Sequence, residues 1–484
     1  MNTTLEKTNL TMLTDFYEIT MANGYFANGF RDKIAYFDMF FREVPDKGGF
    51  AIMAGVQQVV DYLKDLHFMP EDIDYLRKCG IFSEEFLQYL ANFHFSCDVW
   101  VVPEGTPIFP GEPILTVRGP VVQAQFVETM ILLTVNHESL IATKANRIVR
   151  AAHGRPVMEF GSRRAQGADG AILGARAAFI GGCCGTACTI CDRDFGVPAL
   201  GTMAHSWVQL FDNELEAFRA YAREYPTNCL LLVDTYNVLK SGVPNAIKVF
   251  KEEVVPRGYR PAGIRIDSGD ITYLAKKARK MLDDAGFPDA KICVSNSLDE
   301  YLIRDMLIQG APVDSFGVGE RLITSSSHPV FGGVYKLCAV EKEDGTIVPK
   351  IKVSENVTKI TTPCFKKLWR LYDRDSGKAI ADVVTLFNEN IDDSQPYEIF
   401  DPINVWKRKV ITNFRAVSLR KQIFKAGKCI IDEKTLKELQ ADCRREVDTL
   451  WEEVQRFDNP HRYYVDLSRS LWDIKQKMLD EYTY

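Results

Sequence analysis

Four apolar runs in the middle of the chain each end on a polar residue able to do chemistry. Ala199–Ala204 stops at His205, Cys229–Val233 at Asp234, Ala262–Ile266 at Asp267 and Ile292–Ser295 at Asn296. The polar residues stand 29, 33 and 29 positions apart. An interval of that length holds a strand, a helix and two loops. A strand covered on both faces reads as an unbroken apolar run. In a β/α barrel the strand C-termini open into one shared mouth, where barrel enzymes do their chemistry. The pattern therefore predicts an α/β fold built on a β/α barrel, with a candidate site at residues 205, 234, 267 and 296.

The 484 residues suffice for a barrel of roughly 250 residues with appended pieces, or for about three domains at ~150 residues each. Residues 1–150 mix short strands and helices: Ile34–Arg42 reads as a strand, and Val121–Ile148, free of Pro and Gly, as a helix or helix pair. From 151 to 340 the β/α rhythm runs. Its further strands are Val157–Phe160, Asp314–Gly319 and Gly333–Leu337, and a helical period covers Trp207–Tyr225. From 341 to 484 the chain is lysine-rich, has turn signals at Asp344–Gly345 and Asp373–Gly377, and ends with a helical period from Leu436 to Val454. The expected layout is an N-terminal α+β domain (1–150), a catalytic barrel (151–340) and a C-terminal extension (341–484) packing on both.

A net charge of −6 carries no nucleic-acid footprint. A polyanionic substrate would need locally concentrated arginines. No run of about 18 apolar residues predicts a membrane span, and the N-terminus has no apolar core of a secretory signal. Twelve cysteines in 484 residues fall far below a disulfide scaffold. A reduced cytoplasm is the expected compartment.

His205 follows an apolar run and opens a helical stretch. It reads as a nucleophile or base oriented by Asp234 on the next strand, since a carboxylate on one imidazole nitrogen fixes the tautomer and frees the other. A structural histidine at a strand end is the alternative. Arg265 and Asp267 are two apart on one strand, so both face the same side. The arginine suits a carboxylate clamp or a ring stack, and the aspartate suits Mg²⁺ or ribose hydroxyls. An internal ion pair is the other reading. Gly317 and Gly319 could let backbone N–H groups approach a phosphate, although glycines also serve plain turns. Arg163 and Arg164, just past a strand, suit a pyrophosphate or a solvated pair. Cys188–Cys191 has C-x-x-C spacing, but a structural zinc needs a second matched pair. Cys183, Cys184, Cys188 and Cys191 are read as small helix-packing residues.

As a set, these motifs resemble the nicotinate phosphoribosyltransferase family: Leu13–Tyr17, Phe40–Arg42, Arg163–Gly167, Gly201–Ser206, Asp234–Tyr236, Arg265–Asp270 and Gly332–Lys336. The resemblance runs from Leu13 to about Lys336. It implies an irregular β/α barrel of the type II phosphoribosyltransferase kind, with an N-terminal α+β domain and a C-terminal extension. It implies an enzyme that joins nicotinate to 5-phosphoribosyl 1-pyrophosphate, giving nicotinate mononucleotide and pyrophosphate. It further implies Mg²⁺, and coupling to ATP hydrolysis through a phosphohistidine. Carried over, His205 is the phosphorylated histidine and Asp234 its partner. Tyr17 and Phe160 sandwich the pyridine ring, Arg265 and Thr202 meet nicotinate, and Arg163, Asp267, Asn296, Gly317 and Gly319 hold phosphoribosyl pyrophosphate. The tyrosine comes from the neighbouring subunit in this family, which implies a homodimer with shared sites. Glu320 departs from the family's Gly-x-Gly-Thr and is expected to turn away from the phosphates or meet a cation. Relatives acting on nicotinamide carry an aspartate after the Gly-Thr; here Met203 follows Gly201-Thr202, which favours the acid. A non-catalytic barrel scaffold is the alternative of another class, against which His205, Asp234, Arg265 and Asp267 together argue.

Overall fold

The computed structural model describes residues 9–482. The chain separates into two compact units. One is continuous, 144–329, and the other joins 9–143 to 330–482.

The 144–329 unit is built on six parallel strands: β1 (Val157–Glu159), β2 (Gly185–Thr186), β3 (Leu230–Leu232), β4 (Gly263–Ile266), β5 (Lys291–Val294) and β6 (Ser315–Val318). Their order is β2-β1-β6-β5-β4-β3. Leu231, Leu232, Ile264, Ile266, Ile292, Val294, Phe316 and Val318 are all fully buried, as strands covered on both faces must be. Each such side chain contributes roughly 1.5–3 kcal/mol of transfer free energy. Helices Ile271–Asp284 and Glu300–Ile308 make the crossovers from β4 to β5 and from β5 to β6. Each starts on an aspartate whose carboxylate accepts from the first turn: Asp270 from Tyr273 N–H, and Asp299 from Tyr301 and Leu302 N–H.

Two expectations for this segment change. Ala199–Ala204 is not a strand: Ala199 makes a single parallel bridge to Thr186, and His205 then opens the helix His205–Leu210. The helical period over Trp207–Tyr225 is broken, because Asn213 takes extended backbone and its side chain caps a second helix, Glu214–Glu224, by accepting from Glu216 N–H.

The second unit holds a seven-stranded sheet in the order 347–349, 334–341, 34–40, 115–120, 98–101, 421–425, 428–429, and a four-stranded sheet in the order 414–418, 366–373, 379–386, 465–467. Here lies a third correction. Gly333–Leu337, expected as a strand of the β/α repeat, belongs to Val334–Glu341, which pairs antiparallel with Ile34–Phe40. Its burial is uneven, with Tyr335 buried and Lys336 half-buried, which suits a sheet covered on one face. Tyr335 stacks on Phe37 at 5.1 Å between ring centres. The Leu436–Val454 period is helical over Leu436–Asp448, opened by a Thr435/Glu438 capping box. Among the described residues no helix is long and apolar enough to cross a membrane.

Candidate active site

Parallel strands bring their C-terminal ends to one side of a sheet, where ligands of such folds bind. In the 144–329 unit those ends carry Phe160, Asp234, Asp267, Asn296 and Gly319. Arg265, on β4, ties several of the surrounding groups together. Its Nε donates to Ser295 Oγ at 3.1 Å and its Nη1 to Thr202 Oγ1 at 3.0 Å, while Nη2 stands 3.6 Å from Asp267 Oδ2. Ser295 Oγ donates in turn to Asp267 Oδ1. The guanidinium is thus held mainly by hydroxyls, and its charge meets Asp267 only loosely. Thr202 clamps Arg265 from beyond the Ala199 bridge, at the opposite edge of the strand order.

His205 lies against the same group. Its Nδ1 is 3.1 Å from Thr235 Oγ1, and its Nε2 is 3.8 Å from Asp267 Oδ2. The first is a hydrogen bond whose direction depends on the tautomer; the second is too long for one. The side chain is 40% exposed. The ring is therefore met by Thr235 and Asp267, and not by Asp234 as the strand spacing suggests. Asp234 Oδ2 instead accepts from Asp267 N–H at 3.1 Å and from Ser268 Oγ, fixing the turn that follows β4. The other oxygen, Oδ1, is buried without a hydrogen-bond partner among the described residues. A buried acceptor left unmet costs about 1–3 kcal/mol, so the site favours a ligand that supplies a cation or a donor there.

Phe160 extends β1 by one bond, its N–H donating to Val318 O at 2.7 Å. Its ring lies over Gly317: a Cβ at 317 would come within 2.6 Å of Phe160 Cδ2. The ring accounts for the glycine at 317. At 319 a Cβ would sit 3.3 Å from Phe160 O, tight but less so. Glu159 anchors the turn beyond β1, accepting from Thr186 Oγ1 at 2.6 Å and from Gly161 N–H. Burial pushes its carboxyl above the ordinary range, against these two bonds. Beyond that turn, Arg163 and Arg164 are exposed and form no ion pair among the described residues. Asn296 and Ser297 follow β5 with φ of 100° and 44°, a backbone that costs of order 1–3 kcal/mol per residue and clusters at functional sites. Glu320 accepts from Ser297 Oγ at 3.0 Å, so its carboxylate is turned onto a hydroxyl.

Tyr17 lies in the second unit, on the first turn of helix Phe16–Ala27, with 45% of its surface exposed. It lines a cavity of about 400 Å³ together with Met21, Tyr25, Glu128 and Lys336. Cys183, Cys188 and Cys191 are buried and Cys184 is exposed.

Sequence reasoning missed Thr235, Ser268 and Ser295. Thr235 lies within Asp234–Tyr236 and Ser268 within Arg265–Asp270. Ser295 could have been found by register: Cys293 is level with Arg265 and Val294 with Ile266, so Ser295 falls beside Asp267.

Two family models match the chain, the nicotinate phosphoribosyltransferase N-terminal domain at residues 12–136 and the C-terminal domain at 365–475. The nicotinate phosphoribosyltransferase of Bacillus subtilis is 41% identical over 98% of this chain and 96% of its own length. The human enzyme of that name is 30% identical over 95% of each chain. A crystal structure of human nicotinic acid phosphoribosyltransferase superposes with a TM-score of 0.85, covering 96% of this chain and 99% of that one at 28% identity. A nicotinate-nucleotide pyrophosphorylase from Pyrococcus furiosus shares the fold, with a TM-score of 0.70 at 23% identity over 93% and 97% of the two chains. Full-length similarity at this level leaves one assignment: the chain belongs to the nicotinate phosphoribosyltransferase family.

Proposed function

We propose that the strand ends of the 144–329 unit join nicotinate to 5-phosphoribosyl 1-pyrophosphate, giving nicotinate mononucleotide and pyrophosphate. The observation that carries this reading is Arg265: a cation fixed in direction by Ser295 and Thr202 yet only loosely neutralised. Such a group can take a pyridine carboxylate in two parallel bonds. Phe160 offers one ring face. Met203, buried beside Thr202, supplies no acceptor for an amide N–H, so the acid is preferred over the amide.

In the reaction the C1–oxygen bond to pyrophosphate breaks as the ring nitrogen attacks C1, and positive charge develops on the ribose. Asp267, held by Ser295 Oγ and the Asp234-anchored turn, is suited to the ribose hydroxyls and to that charge. Arg163, exposed and unpaired, is suited to the departing pyrophosphate, with the Asn296 and Gly319 loops beside it. Mg²⁺ is usually held by one or two carboxylates plus substrate phosphates. Among the described residues no group of three or more His, Cys, Asp or Glu forms a ready-made cage. The unmet Asp234 Oδ1, together with Asp267, fits the sparser arrangement. When bound there, the ion would neutralise leaving-group charge.

His205 is read as the acceptor of the ATP γ-phosphoryl group. Thr235 occupies Nδ1, which leaves Nε2 as the nucleophile. A phosphoryl group on Nε2 would place new negative charge near Asp267, loosening or tightening the Arg265 cluster, which is how ATP hydrolysis would alter substrate affinity. The strands are read as the wall of an irregular β/α barrel. In support, Thr202 and His205 from one edge meet Arg265 and Thr235 from the other. Tyr17 is read as covering the second ring face in a partner chain of a homodimer. The setting is read as cytoplasmic, since twelve cysteines in 484 residues fall far below a disulfide scaffold.

The test is turnover of nicotinate against nicotinamide with phosphoribosyl pyrophosphate, together with γ-labelled ATP. Nicotinate should be preferred, and an acid-labile label should appear that His205→Ala abolishes. Equal use of the amide, or ATP-stimulated turnover surviving in His205→Ala, would overturn the assignment. Mixed refolding of Tyr17→Ala and His205→Ala chains tests the shared site. Activity should return in the mixture, because one of its two sites is intact. If the mixture is no better than its well-folded parents, Tyr17 does not serve a partner.

A further inference from the structure

The helix that carries Tyr17 begins without the usual cap. Its N-cap residue, Asp15, makes no side-chain capping bond. The start is held instead by the next carboxylate along. Glu18 is fully buried. Its Oε1 accepts from Thr129 N–H at 3.1 Å and from Thr129 Oγ1 at 2.8 Å, and its Oε2 bonds Thr14 Oγ1. Thr129 Oγ1 accepts in return from Asp15 N–H at 3.1 Å. The residues on both sides of the exposed Tyr17 are thereby tied to the first turn of helix Glu128–Ala151. The Tyr17 ring has no comparable lock of its own beyond the Glu128 carboxylate that faces its hydroxyl.

We infer that Glu18 is the positioning residue for Tyr17, acting through Thr14, Thr129 and Asp15, so that its loss appears as weakened nicotinate binding. This rests on the reading that Tyr17 covers the pyridine ring. Glu18 itself touches no substrate in that reading.

The same geometry gives the tie a pH signature. Burial lifts the Glu18 carboxyl to about 7, against the bonds from Thr14 and Thr129 and with help from Glu128 and Asp15. The charged and titratable groups around it are Asp15 and Tyr17 on its own segment, Glu128 on the neighbouring helix, Tyr62 on helix Val56–Lys64 and Tyr335 on strand Val334–Glu341. None is a cation. Thr14 Oγ1 and Thr129 donate to Glu18 and favour its ionised form, but ionisation leaves a charge buried beside Asp15 and Glu128, and that cost outweighs them. The tie is therefore tighter below pH 7 than above it.

The experiment is steady-state kinetics on the full-length enzyme for Tyr17→Ala, Glu18→Ala, Glu18→Gln and the Tyr17→Ala/Glu18→Ala double variant, with melting temperatures. Losing an aromatic face is worth about a two- to tenfold rise in nicotinate KM. Glu18→Ala should raise nicotinate KM by an amount of that order while leaving the KM for phosphoribosyl pyrophosphate unchanged. Glu18→Gln, which keeps an acceptor and a donor, should restore it and should also remove the rise in nicotinate KM expected of the unmodified enzyme as pH passes 7. The double variant should be no worse than Tyr17→Ala alone, because the two residues act on one contact. Multiplying effects, or a Glu18→Ala enzyme that loses only melting temperature and kcat, would overturn the inference. Should Glu18→Ala not fold, Thr129→Val breaks the tie from the other side and must raise the same KM. The two readings fail differently: an unchanged KM in Tyr17→Ala removes the Tyr17 assignment and this inference with it, whereas a raised KM there with none in the Glu18 and Thr129 variants removes this inference alone.

Discussion

Arg265 and Arg370 are both arginines on strands, one in each unit, and they are held in opposite ways. Arg370 is wholly buried and grips Asp382 with two bonds, at 2.8 and 2.7 Å. It also donates to Pro107 O at 2.8 Å, while Tyr463 Oη donates to the same carboxylate at 2.9 Å. The Arg370 guanidinium lies over the rings of Phe109 and Tyr463. Its other terminal nitrogen, Nη1, is buried without a hydrogen-bond partner among the described residues, but the wholly buried side chain leaves a ligand no approach to it. Arg265 keeps a side chain 15% exposed, takes hydroxyls as its close partners and stays 3.6 Å from its carboxylate. The lesson is that an arginine two residues from, or across a strand from, an aspartate says little by itself. Bidentate neutralisation in the core suits a structural pair; a directed but under-neutralised cation, as at Arg265, keeps charge available to a ligand.

The comparison breaks if the two pairs respond alike to mutation. The largest effect is expected at the buried pair. Asp382→Ala leaves the Arg370 charge stranded in the core and should cost about 3–5 kcal/mol of stability, read by urea unfolding; a loss confined to activity would refute the structural reading. Next is Arg265→Lys. It keeps the charge but loses the planar fork, and charge-assisted bonds of this kind contribute about 1.5–3 kcal/mol. Nicotinate KM should rise about 10- to 100-fold with the unfolding midpoint unmoved; an unchanged KM would leave Arg265 a structural part of the parallel sheet. The smallest effect concerns a buried acid in the second unit. Burial, and then Asp401, lift the Asp466 carboxyl to about 7. A folded-state value above the unfolded one means stability is fully present below the ordinary aspartate range and is lost as pH rises through 7. Asp466→Asn should flatten stability between about pH 4 and 7. An identical slope in the variant would show that this group does not titrate there.

Much of the first unit was legible because burial on both faces writes itself as apolar runs: Cys229–Val233 and Ala262–Ile266 became β3 and β4 with Asp234 and Asp267 at their ends. The same rule misled at Ala199–Ala204, equally apolar yet held by one bridge. It misled again at Gly333–Leu337, because a short run does not say whether its partner is parallel or antiparallel. The exchange of partners around His205 was not legible either. Strand spacing places Asp234 and Thr235 together at one mouth, but only the twist of the chain after β3 decides which of the two faces the ring. Hydroxyls such as Ser295 carry no signal in composition; their part emerges once two strands are set in register.

Strand Ile34–Phe40 sits between Leu115–Pro120 and Val334–Glu341. During synthesis its first neighbour emerges early, but the second follows only after the whole 144–329 unit has left the ribosome. At roughly 5–20 residues per second the open edge waits on the order of tens of seconds. An edge of unpaired N–H and C=O groups is a template for any passing strand. Among the nascent portions of this chain, residues 9–143 are therefore the part with most need of a chaperone, and a truncation that stops before residue 334 would leave that need permanent.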